Sequence, residues 1–222
     1  MVPKQSRSEA GDCRASLAMT RKREARNHRK EVPMIRDLIV KNRSYRRFHE
    51  EVDIKLETLK EFVDLARLSA SARNAQPLKY ILSSEPQRNS LIFPHLAWAT
   101  FLKTWSGPAE GEKPSAYIVI LGDTEIGRFW DYDAGIAAQS ILLGATEKGL
   151  GGCMIANIEK EGLRKALKIS PRYEILLVLA LGKPREKVVL ETVGPDGNTR
   201  YWRDSEEVHH VPKRPLGEII IG

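Results

Sequence analysis

The sequence predicts a mixed α+β fold, and three observations predict it. Helical and strand patterns alternate along the chain, but irregularly. The chain then closes on a hairpin pattern and an extended C-terminal arm rather than on a further helix–strand unit. No GxGxxG follows a strand and no GxxxxGK[ST] is present, which lowers the odds of a dinucleotide or P-loop fold. With 222 residues, 41% of them hydrophobic, the chain can bury a core as one domain with an extension. The longest apolar stretches, near Tyr117–Gly122 and Ile175–Gly182, fall far short of the ~20 residues of a membrane-spanning helix.

The elements follow in order. Met34–Lys41 reads as a short helix, and Asn42–Glu51 as a polar, Arg-rich loop. Asp53 precedes a helix to about Ser69, with Leu56, Leu59, Val63 and Ala66 on one face. Ser71–Pro77 is a loop, because Pro77 stops any helix reaching it. Lys79–Ser83 reads as a strand and Glu85–Phe93 as a short helix. Pro94–Pro114 carries Trp98, Phe101 and Trp105 among turn residues, so it is an ordered excursion packed on something flat or a mobile lid. Ser115–Gly122 is a strand. Phe129–Lys148 is a long helix whose Ala134, Ala137, Ala138 and Ala145 let another helix approach, and Gly149 ends it as a left-handed cap. Cys153–Asn157 reads as a strand, Glu159–Lys168 as a helix and Tyr173–Gly182 as a strand buried on both faces. Val188–Arg203 reads as a hairpin turning at Pro195–Asn198, and Val211–Gly222 as extended.

The net charge of +7 raises the question of nucleic acid, and its distribution answers it. Residues 1–33 hold nine Lys/Arg against four acids, a surplus of five, which leaves two for residues 34–222. The basic excess belongs to an N-terminal tail that reads as disordered, and residues 34–222 form the folded domain; no nucleic acid and no membrane are expected as partners. Cys13 and Cys153 make no obvious pair and no apolar leader is visible, so the expected setting is reducing and cytoplasmic. Cys153 reads as a small buried hydrophobe. The five histidines have no metal spacing, and no metal site is expected.

Four segments carry candidate chemistry. Arg43-Ser44-Tyr45-Arg46-Arg47 sets three guanidiniums and a hydroxyl within five residues; it matches a phosphate, or it is a solvated basic loop. Ser71–Pro77 packs short polar side chains and two amides into a turn that can read a heteroaromatic ring or simply be turn chemistry. Gly149–Asn157 runs from a helix cap into a strand. Val211–Leu216 holds Lys213 and Arg214 between prolines, as a strap that clamps a phosphate or lies on the surface.

Taken in this order the segments resemble the flavin-dependent nitroreductase family over most of Met34–Gly222. The matching pieces are Arg43-Ser44-x-Arg46-x-Phe48, Ser71-x-x-Asn74-x-Gln76-Pro77, the helix closing in Gly149-Leu150-Gly151, Leu181-Gly182-Lys183-Pro184, and the C-terminal Pro-Lys-Arg-x-Leu. The departures are Ala70 where the family often has Pro and Leu78 where it often has Trp. The resemblance implies a mixed sheet flanked by helices, with an extended C-terminal arm, in a domain-swapped type of homodimer binding FMN at the interface. Carried over, Arg43, Ser44 and Arg46 hold the phosphate, ribityl and pyrimidine side, and Lys213 and Arg214 add phosphate contacts. Ala70, Ser71 and Asn74 come from the other subunit, and backbone amides near Ala156 and Asn157 face the flavin ring.

The resemblance further implies an FMN-dependent oxidoreductase that takes electrons from NADH or NADPH. It passes them by a ping-pong mechanism to a small, flat electron acceptor such as a nitroaromatic or a quinone. The cofactor carries the bond chemistry, so no side chain is assigned as catalytic. The rivals are a dehalogenase, an enone reductase or a dehydrogenase on the same fold, and a flavin-binding redox sensor without turnover.

Overall fold

The computed structural model describes residues 34–127 and 130–222. The expected disordered tail, Cys13 and Phe129, the expected start of the long helix, lie outside the described residues. The described residues begin with helix α1 (Ile35–Lys41), strand β1 (Phe48–His49) and helix α2 (Leu56–Leu68). Strand β2 (Leu78–Ser83), helix α3 (Pro86–Asn89) and strand β3 (Ala116–Asp123) come next. Then follow helix α4 (Asp131–Glu147), strand β4 (Gly151–Ile155), helix α5 (Lys160–Leu167) and strand β5 (Tyr173–Pro184). Strands β6 (Val188–Thr192), β7 (Trp202–Arg203) and β8 (His209–Lys213) and helix α6 (Leu216–Ile219) complete it.

β5 is the axis of the main sheet. Its Leu181 pairs with Ala116 of β3 on one edge and with Gly152 of β4 on the other. β2 pairs with the outer edge of β3, and β1 with the end of β5 at Lys183 and Pro184; every pair is antiparallel. Strand alternation sends Ala116, Ile118 and Ile120 into one core and Tyr117, Val119 and Leu121 into the other, so β3 is buried on both faces. On β5 the register shifts between Ile120 and Leu121, a bulge that absorbs Leu176 and keeps Ile175 and Val178 on the second face.

The first core is covered by α2 and α4. Leu59, Phe62 and Ala66 meet Ala137, Ala138, Ile141 and Ala145, and the small residues of α4 admit α2 of the same chain. Phe62 is fully buried, whereas Leu56, expected on that face, is exposed. The second core lies under Ile92, Leu96 and Leu163 of α5.

α4 ends as its sequence predicts. Gly149 has φ 70°, its N–H donates to the Thr146 carbonyl and the Leu150 N–H donates to the Ala145 carbonyl, the two bonds of a Schellman cap. The glycines after it have a second task. A Cβ on Gly151 would lie 2.5 Å from the Tyr45 ring, and one on Gly152 would lie 2.6 Å from the Ala180 carbonyl oxygen. Backbone therefore touches side chain and backbone here, and the Arg43–Arg47 loop lies directly on β4, with the Tyr45 N–H donating to the Gly152 carbonyl at 3.0 Å.

Two expectations are corrected. Val188–Arg203 is not a hairpin: β6 and β7 do not pair with each other but flank β8, parallel and antiparallel respectively. The turn at Gly197 does form, with φ 66°, yet His210 of β8 sits between Glu191 of β6 and Asp204 just past β7, and this charge arrangement holds β8 in the middle. The C-terminal segment is not extended throughout. Val211–Lys213 belong to β8, and Leu216–Ile219 form a helical turn after Pro215. The aromatic excursion is packed: Phe101 meets Tyr201 at 5.1 Å, Trp98 meets Phe93 at 5.9 Å, and Arg203 lies over Trp105.

Candidate cofactor-binding site

Three elements converge on one cleft of about 300 Å³. α1 ends in Asn42, and the following loop contributes Arg43, Ser44 and Arg46. β4 contributes Met154, and β8 contributes His209, Val211 and Lys213. These last three alternate along β8, so one pleat face supplies all of them, while His210 and Pro212 point the other way. Gln139 of α4 lines the wall, and its side-chain oxygen accepts a bond from Asn42 Nδ2 at 3.4 Å.

The loop is held from both sides. Arg43 Nη2 donates to the Ile39 carbonyl at 2.6 Å and Tyr45 Oη donates to the Lys41 carbonyl at 2.9 Å, satisfying the open C-terminus of α1. The buried carboxylate of Glu186 accepts from the backbone N–H groups of Arg46 and Arg47, and also from Arg203 at 2.8 Å. Arg47 forms a two-bond pair with Glu112, at 2.6 and 2.9 Å, and reaches Glu207 at 2.8 Å. Of the three guanidiniums, Arg47 is thus a structural clamp. Its partner Glu112 holds the end of the aromatic excursion, whose backbone carbonyl accepts from Phe48 N–H at 3.0 Å.

Arg43 and Arg46 face the cleft. Burial lowers the Arg43 pKa, and its Nε is buried without a partner among the described residues. Arg46 is 9% exposed, lies 4.9 Å over the Tyr201 ring, and its Nη1 donates to the Ser44 carbonyl. Ser44 is exposed, and Lys213 pairs with no carboxylate among the described residues. Two unpaired cationic or donor groups, one buried guanidinium and a free hydroxyl in one cleft form an anion site. An orphaned donor nitrogen is the mark of a missing acceptor, and the chemistry fits the phosphate end of a flavin mononucleotide.

His209 completes the wall. Its Nε2 lies 3.4 Å from Arg46 Nη1, which can only donate, so Nε2 accepts and the proton sits on Nδ1, where it has no partner. Burial, then the neighbouring guanidiniums of Arg46 and Arg203, push its pKa down to about 4. Its neighbour has the opposite environment. His210 is stacked on Trp202 at 4.0 Å between Asp204 and Glu191, and these carboxylates raise its pKa. A raised folded-state pKa adds stability that is full below the unfolded value of about 6.5 and is lost as pH rises through the folded value. Wild type is therefore expected to gain Tm relative to His210→Gln as pH falls from 8 to 6; a gap between the two that does not change with pH would contradict this. His209, whose depressed pKa costs stability below about pH 6.5, is present in both proteins, and burial, the largest cause of that depression, is common to both.

The remaining expected residues fall elsewhere within one chain. Arg214 pairs with Glu218 and does not line the cleft. Ala156 and Asn157 are exposed just beyond β4, and Met154 lines the cleft in their place. Ala70 and Ser71 line a separate hollow with Asp133 and Tyr80, and Asn74 is exposed and is not among the residues that line it. The Ser71 hydroxyl donates to Asp133 Oδ2 at 2.5 Å and accepts from the Gln76 N–H, while Ala72 N–H donates to Asp133 Oδ1 at 2.9 Å. Arg73, Asn74 and Gln76 all have positive φ, near 55°, 55° and 51°. Such strain costs on the order of 1 kcal/mol per residue and persists only where the surroundings impose it. Asp133, 3% exposed, anchors the entry to this turn at Ser71 and Ala72. Cys153 is buried and free, and burial raises its pKa, in accord with a packing role.

Glu186, His209, Tyr201 and Asp133 went unseen in the sequence. Only His209 had a signal, its i, i+2, i+4 spacing with Val211 and Lys213. Among the described residues no helix is long and apolar enough to cross a membrane, and no cluster of His, Cys, Asp and Glu is placed to hold a metal.

A two-faced antiparallel sheet between helical layers, with an arginine loop lying on a glycine strand, defines an α+β protein with a built anion cleft. The nitroreductase family model matches residues 39–183, and the chain belongs to the nitroreductase family. A curated protein of Archaeoglobus fulgidus, named as a candidate NADH dehydrogenase/NAD(P)H nitroreductase, is 24% identical over 149 residues, covering 64% of this chain and 80% of that one. The solved structure of an FMN-dependent nitroreductase from Clostridium difficile R20291 is 26% identical, with a TM-score of 0.55 over 68% of this chain and 87% of its own. A nitroreductase family protein from Streptococcus pneumoniae TIGR4 is 17% identical with a TM-score of 0.61, over 85% of this chain and the whole of the other, a likeness of fold.

Proposed function

We propose that this oxidoreductase-family chain binds FMN and uses NADH or NADPH to reduce a small, flat organic acceptor, in a ping-pong cycle, as a homodimer. The observation that carries the reading is the convergence of Arg43, Ser44, Arg46 and Lys213 on one cleft with an unpartnered Arg43 Nε. Arg43, Ser44 and Lys213 would hold the phosphate by charge-assisted bonds. Arg46, fixed by Glu186 through its own backbone, would keep positive charge beside the bound group and so favour its reduced, more negative state. When bound, FMN would supply the hydride-accepting and electron-donating chemistry.

The dimer rests on two features. Ala70, Ser71 and Asn74 lie outside the arginine cleft of their own chain, as residues offered to a second subunit would. α1 exposes Ile35, Ile39 and Val40, α4 exposes Tyr132 and Ile136, and the C-terminus exposes Leu216, Ile219, Ile220 and Ile221. So much uncovered apolar surface calls for a partner. Light scattering is expected to give twice 25.1 kDa.

The test is a visible spectrum of the full chain, recorded without oxygen before and after NADH or NADPH. Flavin bands that bleach support the reading. Bands that persist favour a flavin-binding sensor. A colourless protein that FMN cannot reconstitute rejects it.

A further prediction concerns Asp133. Asp133→Ala strands the Ser71 hydroxyl and the Ala72 N–H, and is expected to cost about 2–3 kcal/mol in urea unfolding and to weaken FMN binding. Asp133→Asn, which still accepts one bond, should recover part of both. Equal stability of Asp133→Ala and wild type would show that the loop holds itself.

A further inference from the structure

A second cavity lies apart from the arginine cleft and shares no lining residue with it. It measures about 460 Å³, within the ~300–1,000 Å³ span of small-molecule sites. It opens where the β1–α2 loop, the β2–α3 turn and the start of β3 meet.

Its chemistry is acidic and aromatic. Glu50, Asp53 and Glu110 line it, and the only basic side chain in its wall, Lys113, already pairs with Glu110. Glu50 is preset: its Oε2 accepts the backbone N–H groups of Gly111 at 2.7 Å and Lys113 at 3.1 Å, so the carboxylate is fixed. Phe93, half-buried, supplies flat apolar surface, with the fully buried Tyr117 behind it. Lys113 Nζ stands 5.4 Å from the Phe93 centroid, which shows that this ring face accepts an ammonium. Ser115, 9% exposed, lines the cavity, and its Oγ is buried without a hydrogen-bond partner among the described residues. Its backbone is fixed by Asn89, whose Nδ2 donates to the Ser115 carbonyl at 2.8 Å. A native structure seldom strands such a hydroxyl, and here the stranded group lies in the wall of the cavity.

We propose that this cavity is a second ligand site, for a small aromatic or arylalkyl ammonium, with the cation at Glu50 and Asp53 and the ring on Phe93. A metal ion is the poorer fit, because no metal-holding cluster of carboxylates exists among the described residues. An anion is excluded by the three carboxylates. Lys113 is the site's internal competitor: it neutralises Glu110 and occupies the Phe93 face on which the ligand's ring would lie. The inference does not rest on the flavin reading.

Tryptamine serves as the probe, titrated calorimetrically into the full chain with and without excess FMN, beside 3-ethylindole and indole-3-propionate. Saturable binding of tryptamine is expected, unaffected by FMN, with the carboxylate analogue silent. Glu50→Gln should weaken binding about tenfold, the loss of one charge-assisted contact. Lys113→Met should tighten it about threefold. Opposite signs from two neighbouring substitutions cannot come from misfolding. No saturable binding, displacement by FMN, equal binding of the carboxylate analogue, or the two variants moving together would each overturn the proposal.

Discussion

Glu186→Ala is expected to be the most damaging single substitution in the ordered chain, lowering the unfolding free energy by about 3–5 kcal/mol. The Glu186 side chain is 1% exposed, and it serves three donors: the N–H groups of Arg46 and Arg47 and the guanidinium of Arg203. Arg203 is itself buried over Trp105, with its Nε already unpartnered. Removing the carboxylate leaves that guanidinium desolvated, with only the longer 3.9 Å approach of Glu207, and breaking a buried pair costs far more than the pair adds over a neutral substitute. An exposed pair such as Glu57–Lys60 should contribute under about 1 kcal/mol by comparison. Urea unfolding of the wild type, Glu186→Ala and Glu186→Gln decides it. The glutamine should fall between, since its side-chain oxygen still accepts one loop N–H. A loss below about 1 kcal/mol for alanine would mean that the Arg47–Glu112 pair alone anchors the loop.

Arg43→Ala is expected to weaken FMN binding by about 10- to 100-fold, and Lys213→Ala by a similar factor. Each removes one hydrogen bond to a charged group, about 1.5–3 kcal/mol. The two come from different elements, the α1–β1 loop and β8, so their effects should be near additive in the double variant. Quenching of flavin fluorescence on titration measures all four proteins. Lys60→Ala is the control, because Lys60 lies on the exposed face of α2, paired with Glu57. Unchanged affinity in the double variant would detach the cleft from the cofactor and return the arginine loop to a structural role.

The sheet and its helices were legible because their signals are local. The apolar run in Ala116–Asp123, the period of α2 and the Gly149 cap each depend on a few consecutive residues, and each appears within two residues of its expected bounds. Phe62 is buried because it lies three residues after Leu59 and four before Ala66, on their face, whereas Leu56 is the first residue of α2 and is exposed. The hairpin failed for the opposite reason. A turn at Pro195–Asn198 is a local signal, but which strand fills the space beside β6 depends on His210, Glu191 and Asp204, brought together from segments up to 19 residues apart.

The sequence by itself determined the fold class, the family, and the segments from which an anion site is built, because short motifs of arginine, serine, glycine and proline encode turns and donors whatever surrounds them. Only the tertiary structure decided which of those groups act together. It turned Arg47 toward Glu112 and Arg43 toward the cleft, and carried Arg214 away from Lys213 by the alternation of the chain. It also buried Glu186 and His209 beside Arg46 across more than a hundred residues of sequence. Charge and donor geometry depend on distance in space and on exclusion of water, and neither is a property of neighbouring positions along a chain.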